Sequence, residues 1–394
     1  MKQTETNEII IITKKLDNAC FIDFGTRVVQ KKDGGDIYPV YGGGGATFKM
    51  DTYNRENCLV VSRFAMSKQC TRFVEGKFYL NDSGLTVRPK NEKELAQEYL
   101  DYLLLTLNDT IYSLSRGTAQ RNLNVSKFRN LEIKYPDSIE LQLHIATILS
   151  KAENLIAQRK ESIRLLDEFL KSTFLEMFGD PVRNEKKFEI KNLTEFYINP
   201  KEGTKCGPFG SALKKDEFKE TGIAVWTMDN ILKSGEFAED GCLFISNEKF
   251  QELRRYDAKN NDIIISRAGT VGKMCIVKTD KKNSIISSNL IRLRLGKDLL
   301  PVYLFSLMKY CQGRVIKLKH GNEDAYTHMS TGVLDKINFP YPSLELQTQF
   351  AHIVEKTEAL KTQYQQSLQE LENLYGSLSQ KAFRGELSIK QAAV

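Results

Sequence analysis

The sequence predicts an α+β protein with two mixed α/β domains, each followed by a long coiled-coil helix, in a pseudo-two-fold internal repeat. Three observations predict this fold. A 39-residue segment recurs 205 residues later in the chain, both copies space their apolar residues as a coiled coil does, and short strand patterns fill the rest. With 394 residues the chain is long enough for about two or three domains.

Composition excludes several classes of protein. Hydrophobic residues make up 41% and charged residues 27%, which is typical of a globular chain. No apolar run approaches the ~18 residues that a membrane span needs, and the first residues lack a secretory pattern. The seven cysteines and four histidines include no CxxC or HExxH. We therefore expect a cytoplasmic protein with reduced thiols, no membrane contact and no metal.

Charge divides the chain into four predicted segments. The net charge of +7 is distributed as +3 over 1–137, −2 over 138–180, +7 over 181–342 and −1 over 343–394. The first and third segments are the predicted domains, and the second and fourth are the predicted helices. A basic surface attracts nucleic acid by releasing counterions, so the two domains are candidates for that contact. Solvated lysine-rich faces are the alternative.

The repeat is clearest in the predicted helices. Glu140–Gln142 recurs as Glu345–Gln347, and 13 of the 39 positions from 140 to 178 are identical without a gap. Core positions step by three and four, which is the 3.5-residue period of a coiled coil. The residues predicted to pack between the helices or against a partner are Ile145, Ile148, Leu155, Leu166, Phe169, Phe350, Ile353, Leu360, Leu371 and Leu374.

Two like helices in one chain are expected to associate antiparallel about a pseudo-two-fold axis. The two domains would then lie at opposite ends of the helix pair, at a fixed separation. Such a chain suits two DNA sites about one helical turn apart. A coiled-coil scaffold whose domains dock proteins is the alternative.

Strand patterns predict the domain cores. Cys58–Ser62 and Ile263–Ser266 occupy corresponding places in the two halves. The alternation in Ile291–Leu295 places Arg292 and Arg294 on one face of a strand. The predicted short helices are Glu94–Leu107 and Pro301–Tyr310.

No catalytic motif is complete. Arg267–Met274 resembles a phosphate loop, but arginine replaces its first glycine and methionine its Ser or Thr. Gly42–Gly45 lacks the spacing of a dinucleotide-binding loop and predicts a flexible turn or a close approach of backbones. The chain is therefore expected to bind rather than catalyse. An assembly scaffold without DNA binding, or an enzyme in its own right, are the remaining classes.

Several motifs together resemble the specificity subunit of type I restriction-modification systems, over essentially the whole chain. One departure is the apolar stretch Ile9–Ile12, which precedes the family's usual opening. The segments that carry the resemblance are Tyr38–Gly45, Gly117–Leu123, Cys206–Lys215, Asp262–Lys273, Glu140–Gln142, Glu345–Gln347 and Lys171–Pro181.

The resemblance implies two target-recognition domains, each of which reads one half of an asymmetric, bipartite site in double-stranded DNA. It implies that the paired helices set the unread spacer and bind two modification subunits. Those partners would carry S-adenosylmethionine and methylate adenine, while restriction subunits would use ATP and Mg for translocation and cleavage. This chain itself would bind no cofactor. A modification-only or regulatory member of the family is an open alternative.

Sequence-specific contact requires bidentate donors on loops that reach base edges. For each basic candidate the alternative is a solvated charge or a phosphate contact, and for Tyr41 and Trp226 it is a core position. The residues predicted to contact DNA from the first domain are Tyr41, Gly43, Gly44, Arg63, Arg116, Gln120 and Arg121. Those from the second are Phe209, Gly210, Ser211, Trp226, Arg267, Lys273, Lys319 and Tyr326.

Overall fold

The computed structural model describes residues 9–209, 212–267, 271–310 and 330–386. They form two compact units. The first contains the described residues up to Glu161 and those from Gln365 onward, and the second is Ser162–Tyr364. Each unit combines one mixed α/β domain with part of both long helices, which confirms the predicted fold class. Among these residues no helix is long and apolar enough to cross a membrane.

The helices and strands of the described residues are numbered in chain order. The helices are α1 (Leu16–Ala19), α2 (Gln30–Asp33), α3 (Gln97–Thr106), α4 (Asn108–Ser113), α5 (Val125–Arg129), α6 (Ile139–Phe178), α7 (Asn247–Leu253), α8 (Pro301–Tyr310), α9 (Thr331–Leu334) and α10 (Leu344–Phe383). The strands of the first unit are β1 (Ile11–Lys15), β2 (Cys20–Phe24), β3 (Tyr38–Tyr41), β4 (Ala46–Met50), β5 (Arg55–Ser62), β6 (Thr71–Leu80), β7 (Gly84–Pro89), β8 (Ser115–Arg116), β9 (Asn122–Leu123) and β10 (Glu132–Pro136). Those of the second are β11 (Glu189–Asn192), β12 (Thr204–Cys206), β13 (Ile223–Trp226), β14 (Leu243–Ile245), β15 (Ile263–Ser266), β16 (Met274–Ile276), β17 (Ser284–Ile286), β18 (Leu290–Leu293) and β19 (Asn338–Tyr341).

The first domain is built on a six-stranded sheet in the order β2-β7-β5-β6-β3-β4. Its β5 is buried over Leu59–Ser62, so this part of the strand reads as a continuous apolar run. Helix α3 covers the sheet with a face that includes Tyr99, Leu100 and Leu104, in one apolar core with Ile145 of α6.

The second domain divides the same kind of framework into sheets β12-β18-β15-β16 and β14-β13-β17. Arg292 of β18 and Arg294, the residue after the strand, point to one side, as the alternation predicts. Both arginines bond to Asp257, and Arg294 also donates to Asp262 (2.8 Å). Because Arg292 has no exposed surface, these side chains form an internal ion network and are not part of a binding surface.

The repeat extends through both domains. Gly25 N–H donates to Gly84 O (3.0 Å), and Gly207 N–H donates to Leu290 O (2.9 Å) at the same place in the second domain. A Cβ on either Gly25 or Gly207 would lie 1.9 Å from a backbone oxygen, so both sites need glycine. The framework is therefore common to the two domains even where the sequences differ.

This correspondence explains the apolar stretch at the start of the chain. Strand β1, which includes Ile11 and Ile12, pairs antiparallel with β10. In the second domain β11 pairs antiparallel with β19 in the same way. Ile11 and Ile12 thus belong to the first strand of the domain.

Both long helices contain 40 residues, and within each unit they run antiparallel. In the first unit Tyr375 OH donates to Glu153 (2.8 Å) and Lys160 pairs with Glu372 (2.8 Å). In the second unit Lys361 pairs with Asp167 (3.0 Å), and the rings of Phe174 and Phe350 lie 5.5 Å apart. The antiparallel pairing of the helices is confirmed in each unit.

The packed stripe of the helices differs from the predicted one at alternate positions. Ile145 and Phe350 are buried, and Ile148, Leu166, Ile353 and Leu371 are half-buried, but the remaining four predicted positions are exposed. The stripe steps by four and then three, whereas the prediction stepped by three and then four; both spacings have the same mean period. The positions exposed against the prediction are Leu155, Phe169, Leu360 and Leu374. The stripe instead runs through Ile145, Leu149, Ala152, Ile156, Arg159, Ile163, Leu166 and Leu170, and through Phe350, Val354, Thr357, Lys361, Tyr364, Leu368, Leu371 and Tyr375.

Candidate nucleic-acid interfaces

In each domain an arginine directly follows the end of an equivalent strand. Strand β5 ends at Ser62 and Arg63 follows; strand β15 ends at Ser266 and Arg267 follows. The backbone N–H of Arg63 donates to Ser83 O (2.8 Å), and that of Arg267 donates to Asn289 O (2.9 Å). The two arginines are therefore placed by equivalent main-chain contacts.

The loops after β3 and β13 reach the same edge of the framework. Asn81 N–H donates to Tyr41 O (2.9 Å), and Ser287 N–H donates to Trp226 O (2.8 Å). Tyr41 and Trp226 thus occupy equivalent strand ends. In the first domain Gly42–Gly45 follow Tyr41, and this loop lies beside the residues that flank Arg63.

The glycine loop is held by side chains that donate hydrogen bonds to its main chain. Ser62 Oγ donates to Gly43 O (2.7 Å), and Arg72 Nη2 donates to the same oxygen (2.6 Å). A Cβ on Gly43 would lie 2.6 Å from Phe64 O, whereas one on Gly44 would meet nothing within 4 Å. Gly43 is therefore needed for close packing of the loop, and Gly44 is the glycine that stays exposed.

The Arg63 side chain is held between two aromatic rings. Its guanidinium carbon lies 4.9 Å from the centroid of the Phe24 ring and 4.5 Å from that of Phe64. Its Nη1 also donates to Asp82 O (3.4 Å). Stacking fixes the plane of the guanidinium while the residue remains half-exposed, which suits a bidentate donor.

A two-stranded hairpin carries three further candidates of the first domain. Arg116, Gln120 and Arg121 are exposed on or beside the turn that joins β8 and β9. Leu123 N–H donates to Arg63 O (2.8 Å), and Met66 N–H donates to Arg121 O (2.8 Å). These bonds join the hairpin to the arginine segment, so the candidates form one donor-rich surface.

In the second domain the structure brings three candidates together. Phe209 is 60% exposed, and the guanidinium carbon of Arg267 lies 4.6 Å from the centroid of its ring. Ser266 N–H donates to Lys273 O (2.7 Å), which places Lys273, the residue before β16, close to Arg267. The other candidates, Gly210, Ser211, Lys319 and Tyr326, lie outside the described residues.

The prediction that Trp226 contacts DNA is wrong for this fold. Trp226 has no exposed surface; its Nε1–H donates to Ser284 Oγ (2.8 Å), and its ring meets the Phe237 ring edge-on at 4.9 Å. Pairing of β13 between β14 and β17 places the indole in the core. The apolar run Ile223–Trp226 could have indicated this, because a half-exposed strand alternates. Tyr41 is half-buried against Phe78.

Three residues of the first surface escaped the sequence prediction. Phe64 stacks on Arg63, Arg72 fixes the glycine loop, and Asn122 Oδ1 accepts from Ala65 N–H (3.1 Å). Arg72 and Asn122 each bond to main-chain atoms, which carry no residue-specific signal. Phe64 directly follows the repeated strand pattern, and this neighbourhood was the one available signal.

The chemistry of both surfaces is that of hydrogen-bond donation. Arginine donors of both surfaces, with Gln120 on the first, are of the type that binds base acceptors or phosphates, and Arg63 and Arg267 each lie over an aromatic ring. Within the described ranges, no group of three or more His, Cys, Asp or Glu residues is placed to hold a metal ion. The six cysteines described there are free, and burial raises the pKa of the Cys70 thiol to about 11.

Two donor-rich surfaces on like domains, each domain packed on paired long helices, suit the class of DNA-binding proteins that have two recognition domains. The chain belongs to the family described as the type I restriction modification DNA specificity domain, whose profile matches residues 23–165 and 207–373. Members of this family are specificity subunits, and catalysis resides on their partner subunits. This chain is accordingly a non-catalytic, DNA-specificity subunit of a type I restriction-modification system.

Individual relatives agree with this assignment. The chain is 24% identical over 330 residues to the type I restriction enzyme MjaVIII specificity subunit of Methanocaldococcus jannaschii, covering 81% of this chain and 76% of that one. It resembles the crystal structure of a type I restriction-modification S subunit from M. genitalium, with TM-score 0.66, 18% identity, and 96% and 98% of the two chains covered. A chain solved in a study of complex assembly and conformational transition of the type I R-M system matches with TM-score 0.52 and 17% identity, covering 96% and 98%.

Proposed function

We propose that the chain reads a bipartite, asymmetric site in double-stranded DNA, one half with each domain. The observation that carries the proposal is the equivalent placement of Arg63 and Arg267 by main-chain bonds on one framework. Around them the side chains differ, with Arg116, Gln120 and Arg121 on the first surface and Phe209 on the second. A common frame with different donors suits two different half-sites.

The long helices set the unread spacer between the half-sites and bind two modification subunits. Exposed apolar side chains support this part of the proposal. Leu155 and Phe169 are each 50% exposed, and Leu374 is 52% exposed. Apolar side chains exposed on a long helix favour burial against another protein. Of the two roles predicted for these three residues, packing between the helices or against a partner, the proposal assigns them the partner contact.

The cofactors belong to the partners in this proposal. Modification subunits carry S-adenosylmethionine and methylate adenine, and restriction subunits use ATP and Mg for translocation and cleavage. The complex acts in the cytoplasm, where the DNA of a bacterial or archaeal host lies. The family assignment supports this division of labour. A modification-only or regulatory member would lack the restriction subunits, and an assembly scaffold would lack DNA recognition.

Methylome sequencing tests the proposal directly. A host with this chain and its modification subunit is compared with hosts carrying R63A, R267A or a deletion. We expect one bipartite adenine motif, absent on deletion; each substitution relaxes one half of that motif and leaves the other intact. An unchanged methylome on deletion, with the modification subunit present, contradicts the proposal. Equal loss of methylation at all sequences assigns the arginine to phosphate contact.

A further inference from the structure

A groove opens in the first unit between β6, α3 and α6. Its volume is about 750 Å³, and residues of all three elements line it. Two apolar side chains face it with much of their surface exposed: Phe73 at 46% and Leu143 at 41%. Such exposure beside a concave surface indicates a contact that the first unit does not itself provide.

The groove is acidic in a basic protein. Three exposed carboxylates line it, Glu75, Glu98 and Glu153, against one cation, Lys151. The buried carboxyl of Asp101 also lines it. The ion pairs of the described residues include none of these five side chains. The chain as a whole carries +7. Phosphate groups are therefore repelled from this groove, in contrast to the two donor-rich surfaces.

The second unit contains the corresponding helix, and there its face is covered. Helix α8 (Pro301–Tyr310) matches α3 (Gln97–Thr106) position for position, 204 residues later. Asp101 corresponds to Phe305. A Cβ on Gly235 would lie 3.0 Å from the ring of Phe305, so a loop of the chain packs directly on this position.

The same loop makes one polar contact with a lysine of α8 and one with a lysine of α10. Leu105 of the groove corresponds to Lys309, whose Nζ donates to Ser234 O (3.3 Å). The next acidic residue of the loop, Glu236, pairs with the buried Lys361 of α10 (3.2 Å). In the second unit a segment of the chain itself thus covers this face, and two lysines contact that segment. In the first unit the corresponding face is acidic, and its groove is open.

We propose that this groove binds a basic, apolar-tipped polypeptide segment of the modification subunit, and that only the first unit does so. The inference rests on the proposed function, in which the chain assembles with two such subunits. A cationic occupant would be attracted by the negative charge of the groove, and apolar side chains of the occupant would bury Phe73 and Leu143. A polypeptide is favoured because a polypeptide loop covers the corresponding face in the second unit. The two modification subunits would then make unequal contacts with the chain.

Photocrosslinking in the assembled complex tests this inference. The chain carries p-benzoylphenylalanine in place of Phe73 and is co-purified with its modification subunit. The same label at Phe21, which is 41% exposed in the same domain, is the control. We expect the Phe73 label, and not the Phe21 label, to crosslink one modification subunit per chain at a segment rich in Lys or Arg. The charge reversal E75K/E98K should lower the yield at least ten-fold, whereas E92K/E132K, which reverses exposed charges outside the groove, should not.

Three outcomes would overturn the inference while the proposed function stands. They are a complex that assembles and methylates without a Phe73 crosslink, a crosslink to an acidic segment, and a crosslink to DNA or a second copy of the chain. A crosslink to a modification subunit from the same label at Phe305, on the corresponding face of the second unit, would overturn its asymmetry. Failure of the unsubstituted chain to assemble with the modification subunit would overturn the proposed function and this inference together.

Discussion

Gln142 accepts a hydrogen bond from the backbone N–H of Ala96 at 2.8 Å, which joins the start of a long helix to the start of a domain helix. Its Nε2 donates to the carbonyls of Glu94 (2.9 Å) and Pro136 (2.7 Å). The repeated glutamine, Gln347, accepts from Leu300 N–H at 2.9 Å in the same way. The repeated Glu-Leu-Gln motif is thus an anchor of each long helix to its domain.

We expect Q142A and Q347A to lower the free energy of unfolding by about 2–4 kcal/mol each, because both glutamines are fully buried and each loss leaves main-chain groups unpaired. Urea unfolding of the full chain, followed by circular dichroism, measures the shift. Q366A is the matched control, since Gln366 is an exposed glutamine on the second long helix. An effect of Q142A no larger than that of Q366A would contradict the anchor.

The buried carboxyl of Asp101 gives stability a pH dependence. Burial raises the pKa of Asp101 from 3.8 to about 7, while Gln97 Nε2–H donates to it. Between these pH values the unfolded chain has lost the proton and the folded chain retains it. Asp101 therefore contributes a loss of stability as pH rises from about 4 to 7, with a slope of up to about 1.4 kcal/mol per pH unit.

D101N should remove that loss. We expect the substituted chain to gain stability over the unsubstituted one as pH rises, with the full gain above pH 7. Urea unfolding at pH 5, 6, 7 and 8 measures the difference. D137N, which neutralises an exposed carboxylate, should leave the slope unchanged. A pH-independent difference for D101N would show that the carboxyl is ionised in the folded chain.

The long helices show how far the sequence determines packing. A heptad repeat predicts two helices and their antiparallel pairing. It does not show whether the step from a given core position is three or four residues, because both orders have the same mean period. Ser162 and Ile163 could have decided between them. The isoleucine is half-buried in the stripe, and an aliphatic residue at the alternate position is the better core residue. Over the whole helix, burial of the aliphatic residues of the observed stripe stabilises the pairing more than burial of Phe169, which stays exposed, would have done.

The reading surfaces depend on contacts that a sequence does not encode as a pattern. Arg63 and Arg267 could be proposed because each follows a repeated strand. The bond from Arg72 to the Gly43 carbonyl joins two residues 29 positions apart, and any main-chain oxygen could have accepted it. Trp226 was misplaced for a different reason, since a single tryptophan suits stacking or a core equally well until its strand is known to be interior.

Phe209 and Arg267 should act as one unit in DNA binding. Because the ring orients the guanidinium, we expect F209A and R267A each to weaken binding by about 1–3 kcal/mol, and the double substitution to cost less than their sum. Fluorescence anisotropy of the assembled complex on its target duplex measures this at fixed salt. R255A is the matched control, because Arg255 also stacks on a ring, that of Tyr256, in another segment of the domain. Strict additivity would show that the stack does not position the arginine.

The two neighbouring glycines of the first loop allow a sharper test of the first surface. On Gly43 a new Cβ would lie 2.6 Å from Phe64 O, so the loop must move away from the arginine segment. On Gly44 a Cβ meets no atom of the chain within 4 Å. We expect G43A to lower stability by about 1–3 kcal/mol and to relax recognition of the first half-site only.

G44A should leave stability unchanged, within about 0.5 kcal/mol. Its effect on DNA then reports how closely the duplex approaches the loop. Weaker binding at the first half-site with normal unfolding places the DNA against Gly44, because nothing else occupies that space. If G43A and G44A both leave the first half-site unchanged, the loop is not part of the reading surface, and the hairpin with Arg116, Gln120 and Arg121 carries recognition together with Arg63.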